Sequence, residues 1–402
     1  MDQAVPITND IYWVGTIDHE THLFENYLPI PRGVVYNAYC IVDEKVALID
    51  TVKSISSVKY LANLKEVLKG KNIDYLIVNH MEPDHSGSIK FIKELYPDIK
   101  IIGNKKTFEF LEHFYGITDG LHQVNDMDEL DLGKHKLKFY MTPMLHWPET
   151  MMTYDQTDKV LFSGDAFGGF GTLDGSIFDD EVDTEYFEDE ILRYFSNIVG
   201  KYSIMVQKAL AKLGSLDIKT VCATHGPVWR KNPGHIIKLY DKWSRHEAEE
   251  GVVIIYGSMY GNTEKMMQAI ATGIAEEDIT KVRIHNVSRI HTSYLIRDIW
   301  RYKALILGAP TYNMKLFPLM NNLVQALDNL MIKNRILGLF GTYGWSGGGV
   351  KTLTEFAKKG KWELVEPIIE ARCSPGDDEL KQCVALGKNL SKRLKESMAH
   401  TH

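Results

Sequence analysis

The most restrictive feature of this chain is the segment NHMEPDHSGS at residues 79–88. It places His80, Glu82, Asp84 and His85 directly behind an apolar run of strand length, residues 73–78. Imidazole and carboxylate groups at such density are the donors that hold a divalent transition metal such as iron, manganese or zinc. A helix is expected to start near Ser86. Three more candidates stand in the same kind of place. His146 follows an apolar run at 137–141, Asp165 follows 160–163, and His225 follows 221–224. Ligands distant in sequence converge when they leave one edge of a sheet, so the fold must bring these strand ends together. Four imidazoles and three carboxylates exceed the needs of one metal, and a carboxylate-bridged pair fits the count. A lone histidine after a strand is ordinarily a surface or packing residue, and the 79–88 cluster alone would also suit a solvated turn. The agreement of four segments decides for a metal site. The other histidines, among them His113, His122 and His135, stand in polar or helical surroundings and read as surface residues. His19 and His22 fall in a polar loop, 18–31, that either covers the site or lies exposed; exposure is the expectation.

At roughly 150 residues per domain, a chain of 402 residues makes two or three domains. One seam stands out. The charged stretch DKWSRHEAEEG at 241–251 gives way to the apolar run VVIIY at 252–256. The boundary is therefore placed between domains 1–249 and 250–402. In the first, hairpin-like segments at 11–14, 36–42 and 45–49 precede strands at 75–79, 99–102, 137–141, 159–163 and 220–223. Amphipathic runs such as 57–69 and 184–212 intervene, so a mixed sheet with helices packed outside is predicted. The second domain has a regular strand–helix rhythm, with strands at 252–256, 281–286, 304–307 and 336–340 and a weaker one near Glu366. That rhythm predicts a doubly wound parallel sheet.

Composition narrows the function classes. Lys plus Arg total 46 against 53 Asp plus Glu, a net charge of −7, which argues against a nucleic-acid partner. No apolar run reaches the length of a membrane span; the longest, such as 304–310, are strand-sized. No secretory signal is legible at the start. Cys40, Cys222, Cys373 and Cys383 form no Cys-x-x-Cys pair. A disulfide framework, a zinc ribbon and a cysteine-bound iron centre are disfavoured, and reduced thiols in a cytoplasmic protein are expected.

A second constellation follows the seam. The segment YGSMYGNTE at 256–264 joins a predicted strand to a predicted helix. Its small and hydroxyl residues, Ser258, Met259, Tyr260, Gly261, Asn262 and Thr263, let backbone amides and hydroxyls surround a phosphate at a helix N-terminus. The alternative is a helix capped by Asn262 or Thr263. No Gly-Lys-Ser/Thr or Gly-x-Gly-x-x-Gly pattern is present. Two later loops also leave predicted strands. GAPTYNM at 308–314 contains Pro310, Thr311, Tyr312, Asn313 and Met314, and GTYGWSGGG at 341–349 contains Tyr343, Gly344, Trp345, Ser346 and Gly347. Tyr312, Tyr343 and Trp345 either pack or flank a flat ring. Three such loops on one sheet edge resemble flavodoxin, which implies FMN, its phosphate on Ser258–Thr263 and its ring between the other two loops.

The pattern His-x-x-x-Asp-His with distant His, Asp and His resembles the metallo-β-lactamase fold. Most hydrolases of that fold carry a second histidine where this chain has Glu82. The His-x-Glu-x-Asp-His form, followed by the flavodoxin-like part, resembles the flavodiiron proteins, or A-type flavoproteins, over nearly the whole chain. That resemblance implies an α+β metallo-β-lactamase-like (αββα sandwich) domain followed by an α/β flavodoxin-like domain. It implies FMN and two iron ions, one iron held by His80, Glu82 and His146, the second by Asp84, His85 and His225, with Asp165 bridging. In some members the residue matching His85 does not bind iron directly. The implied activity is reduction of dioxygen to water or nitric oxide to nitrous oxide. The implied assembly is a head-to-tail homodimer or a dimer of dimers. Lacking paired cysteines, the chain is expected to take electrons from a separate donor: rubredoxin, a reduced deazaflavin or a reductase. The competing readings are a zinc-dependent hydrolase fused to an electron carrier, against which Glu82 argues, and a flavodoxin-like sensor whose metal half is a scaffold.

Overall fold

The apolar run behind the 79–88 segment forms an interior strand, Tyr75–Ile77, paired in parallel with Val46–Ile49 on one side and Lys100–Gly103 on the other. Strands covered on both faces read as continuous apolar runs, and Val46–Ile49 is buried at every position. This computed structural model describes residues 3–173 and 175–399. Its chain divides into two compact units, Met1–Ser244 and Arg245–His402. The charged residues after helix Pro233–Ser244 form the turn between them, and the next strand begins at Glu249.

Two sheets build the first unit. One runs in the order Val5–Pro6, Ile11–Trp13, Tyr39–Val42, Val46–Ile49, Tyr75–Ile77, Lys100–Gly103, Leu121–Gln123. The other runs Glu129–Asp131, Lys136–Met141, Met151–Asp155, Val160–Gly164, Thr220–Ala223. Inward side chains join the sheets. The rings of Tyr39 and Phe162 lie 5.2 Å apart, and the Tyr39 hydroxyl donates to the Ala223 carbonyl. Helices such as Ser57–Leu68 and Lys105–Tyr115 bury one stripe each, as their amphipathic spacing requires. The αββα sandwich expected from the sequence is thus present. Strands Val160–Gly164 and Thr220–Ala223 pair in parallel, so Asp165 and His225 leave at the same edge.

Local expectations differ in four places. The helical turn begins at Pro83, not near Ser86, because proline is pre-set for a first helical position and its missing N–H costs nothing there. The long amphipathic run 184–212 breaks. Helix Thr184–Tyr194 opens into a wider π turn at Phe195–Val199 and then a tighter 3-10 turn at Gly200–Tyr202 before helix Ser203–Leu213. Residues Ile191–Ser196 are all buried, so no single face stripe governs that stretch. The strand near Glu366 is two, Glu363–Leu364 and Ile369–Arg372, interrupted at Pro367, which lacks a ladder donor. His135, read as a surface residue, is fully buried between carboxylates.

The second unit is a parallel sheet in the order Val282–Asn286, Glu249–Tyr256, Tyr302–Tyr312, Ile336–Tyr343, with Glu363–Leu364 and Ile369–Arg372 both on the last strand. Strand order 2-1-3-4-5 is that of flavodoxin. Helices Asn262–Ala275 and Asp377–Ala399 pack backbone to backbone. A methyl group on Gly273 would stand 2.1 Å from the Val384 carbonyl oxygen, and one on Gly387 2.3 Å from the Ile270 oxygen. Gly387→Val should therefore force the helices apart and destabilise this unit by at least about 1–3 kcal/mol. Urea unfolding of the full chain, followed by circular dichroism, checks this; an unchanged midpoint would show that the helices separate freely.

Candidate functional site

Asp50 fixes the first segment. It sits in a left-handed conformation (φ 56°) just beyond strand Val46–Ile49, and its Oδ1 accepts the amides of Asn79 at 2.8 Å and His80 at 3.4 Å. Burial, opposed by the nearby His85, pushes its carboxyl up to about 6. The chain then turns through Pro83–Ser86, where the amides of His85 and Ser86 both donate to the Glu82 carbonyl at 2.9 Å. This turn aims Glu82, Asp84 and His85 at one point beyond the sheet edge.

There the structure brings all seven candidates together in two groups. His80, Glu82, His146 and Asp165 form one; Asp84, His85 and His225 form the other; donor atoms within each lie within 4.8 Å of one another. The Glu82 carboxylate is 3.2 Å from the Nε2 of both His80 and His146. Asp84 Oδ2 lies 3.4 Å from His85 Nε2 and 3.3 Å from His225 Nε2. Asp165 spans the groups: Oδ2 is 2.9 Å from His146 Nε2, and Oδ1 is 3.0 Å from His85 Nε2. One oxygen toward each group is the geometry of a bridging carboxylate.

These groups fit a cation pair and little else. His85 and His225 point Nε2 at Nε2 across 3.1 Å, an arrangement that needs a proton or a metal between them. Both Asp84 oxygens and His85 Nδ1 are buried without a hydrogen-bond partner, and such groups are costly unless something charged joins them. Burial works against every charge here. Even so, His146 and His80 hold Glu82 well below the usual carboxylate range, and His85 and His80 do the same for Asp165. Against the same burial, the carboxylates push His85 and His146 up to about 9. Two divalent ions would take the place of those histidine protons among the three carboxylates. The imidazoles are also aimed from behind. His80 Nδ1 contacts Glu149 Oε1 at 2.8 Å, and His225 Nδ1 contacts the Val35 carbonyl at 2.8 Å, leaving each Nε2 for the centre.

A cavity of 840 Å³ opens over Glu82 and Asp84, walled by Tyr36, Lys53 and residues 21–26. The polar loop 18–31 therefore helps form the site's mouth. His22 lines this cavity while remaining exposed; His19 is exposed and does not line it. The Tyr194 hydroxyl is buried without a hydrogen-bond partner, its ring 5.6 Å from that of His225.

In the second unit, a cavity of 340 Å³ gathers all three loops. Ser258, Met259, Tyr260, Asn262, Thr263, Pro310, Thr311, Tyr312, Asn313, Tyr343, Gly344 and Trp345 line it, together with Thr342 and Cys373, which the sequence did not single out. Gly261, Met314, Ser346 and Gly347 do not line it. Gly261 instead takes the left-handed turn (φ 87°) ahead of helix Asn262–Ala275. No side chain caps that helix. Thr263 bonds the Thr342 hydroxyl at 2.9 Å instead, so the first-turn amides stay available to a phosphate. Tyr260 and Trp345 line it while 89% and 81% exposed.

Residues 34–226 match the family described as ODP family beta lactamase, and residues 254–387 match flavodoxin. The solved structure of rubredoxin oxygen:oxidoreductase from Desulfovibrio gigas superimposes with a TM-score of 0.94 at 30% identity, over 99% of this chain and 100% of that one. The flavodiiron protein of Giardia intestinalis gives 0.94 at 28% identity, over 99% and 98%. A nitric oxide reductase of Moorella thermoacetica is 36% identical over 98% of this chain and the whole of its own. The chain belongs to the flavodiiron proteins. An anaerobic nitric oxide reductase flavorubredoxin of Escherichia coli is 36% identical over 97% of this chain and 82% of its own.

For a flavodiiron protein, the groups that sequence reasoning missed are those behind the ligands. Asp50 and Glu149 are buried carboxylates lacking any local motif, and only the fold brings them to the 79–88 segment. Glu149→Gln should loosen His80 and lower metal affinity by about 10–100-fold. Competition with a chelator, read by metal analysis of the desalted protein, checks this; wild-type affinity would show that His80 needs no such support.

Proposed function

We propose that this chain is an FMN- and di-iron-dependent oxidoreductase that reduces dioxygen to water or nitric oxide to nitrous oxide. The observation that carries the reading is Asp165, with one oxygen toward each ligand group. His80, Glu82 and His146 would hold one iron, Asp84, His85 and His225 the other, and Asp165 both. When bound, the flavin supplies electrons and the irons the site of gas reduction. The protein's own part is positional. Glu149 and the Val35 carbonyl keep His80 and His225 turned inward. Glu82, a carboxylate where a hydrolase carries imidazole, favours iron over zinc. The cavity over Glu82 and Asp84 admits a small substrate.

Residues 1–249 would carry the metals and 250–402 the flavin. The phosphate would rest on the uncapped helix start at Ser258–Thr263, with Tyr312, Tyr343 and Trp345 around the ring. Electrons would come from a separate donor: rubredoxin, a reduced deazaflavin or a reductase. Two of the relatives named above carry rubredoxin in their names. The four cysteines are free, three of them buried, in keeping with a reducing, cytoplasmic setting. No helix among the described residues is long and apolar enough to cross a membrane.

Protein purified anaerobically should contain two irons and one FMN per chain and, once reduced, consume dioxygen or nitric oxide. Asp165→Asn should lower turnover by at least about 100-fold, the scale expected when a metal-bridging charge is lost, while the flavin spectrum stays unchanged. Two zinc ions without iron, or full activity in Asp165→Asn, would overturn the reading. We also propose a head-to-tail homodimer or a dimer of dimers, supported by the exposed aromatics Tyr260 and Trp345. An active monomer in sedimentation velocity would exclude it.

A further inference from the structure

The first unit holds another group of convergent donors, at the opposite ends of the strands that carry the metal pair. His135 precedes strand Lys136–Met141, Asp155 ends strand Met151–Asp155, and Asp158 precedes strand Val160–Gly164. One donor atom from each lies within 4.8 Å of the others. His135 and Asp155 are fully buried, and Asp158 reaches the wall of an open depression.

Two observations separate this group from an ordinary acidic turn. His135 Nδ1 comes within 3.2 Å of Asp155 Oδ2 without forming a hydrogen bond, so a buried ring nitrogen stands beside that carboxylate with no hydrogen-bond partner. The same ring's Nε2 lies 3.4 Å from Asp10 Oδ2, and the Lys134 ammonium is paired with that same oxygen. A carboxylate on the far nitrogen is the support found behind metal-ligating histidines, because it fixes the tautomer with the near nitrogen's lone pair free. Lys134 balances Asp10, and Asp155 and Asp158 together match one divalent ion.

We propose that His135 Nδ1, Asp155 and Asp158 form a structural site for a divalent cation of the zinc type, with water completing the coordination. One imidazole and two carboxylates are within zinc's ligand range. The site ties together the turns entering two strands and the end of a third. It lies away from His146 and Asp165, which leave the other ends of the same sheet.

The test uses the full chain with its iron centre loaded. Zinc sulfate is added and excess removed by gel filtration, and zinc and iron are counted per chain. The expected result is one zinc beyond the irons and a higher unfolding temperature. Asp158→Asn, at a half-buried position, should lose both effects while gas turnover stays at the wild-type rate. Asp10→Asn, which leaves all three ligands in place but removes the charge behind His135, should weaken zinc binding by about 10–100-fold. Equal zinc uptake in the wild type and Asp158→Asn would overturn the proposal. So would absence of bound zinc with His135 carrying protons on both nitrogens in NMR spectra.

Discussion

Charge buried without water is the constraint on which this structure turns. Glu82, Asp165 and the carboxylate oxygens of Asp84 sit at a sheet edge with almost no solvent to stabilise them. An isolated ionised carboxylate in such a place costs far more than packing returns, so each must face a cation. The four imidazoles are placed to let metals, not protons, meet that need. The sandwich acts as the frame that makes this arrangement tolerable. Parallel pairing brings Asp165 and His225 out at one edge, and Asp50 grips the backbone of the segment that supplies the rest. Remove the cations and the site holds three negative charges with only histidine protons to offset them.

The second unit solves the converse problem with neutral groups. A phosphate needs donors, and the helix beginning at Asn262 provides backbone amides because nothing in its own sequence caps it. Gly261 makes the turn that a side chain would strain. The helices behind the sheet meet at Gly273 and Gly387, so the parallel strands are covered on that face at short range. Binding capacity in this unit therefore comes from backbone geometry, whereas in the first it comes from side-chain chemistry.

That contrast explains what could be read from the chain. The seven candidate ligands were legible because polar groups behind apolar runs are improbable by chance, and strand ends are easy to place. The Ser258–Thr263 turn and the two later loops were legible as a group, because each follows a buried parallel strand. Their individual contacts were not: Met314, Ser346 and Gly347 do not line the cavity, while Thr342 and Cys373 do. Glu149 and Asp50 were hidden because a lone carboxylate in a loop has no periodicity to betray it. His135 was misread for a related reason. Its neighbours Lys134 and Lys136 are exposed, and the partners that bury it, Asp10 and Asp155, are remote in sequence. The strand Met151–Asp155, buried throughout, escaped because it carries the polar Thr153 and Asp155, which are satisfied by the remote Asn79 and by the Thr157 and Asp158 amides of the turn that follows.

Cys373 has a practical side. It is the one exposed cysteine, in a left-handed turn on the wall of the loop cavity, and Cys40, Cys222 and Cys383 are buried. A thiol-reactive dye would thus attach at a single point beside the place where an aromatic ring would lie. The protein carries its own built-in label position, and the dye's rate of attachment becomes an optical gauge of how full that cavity is.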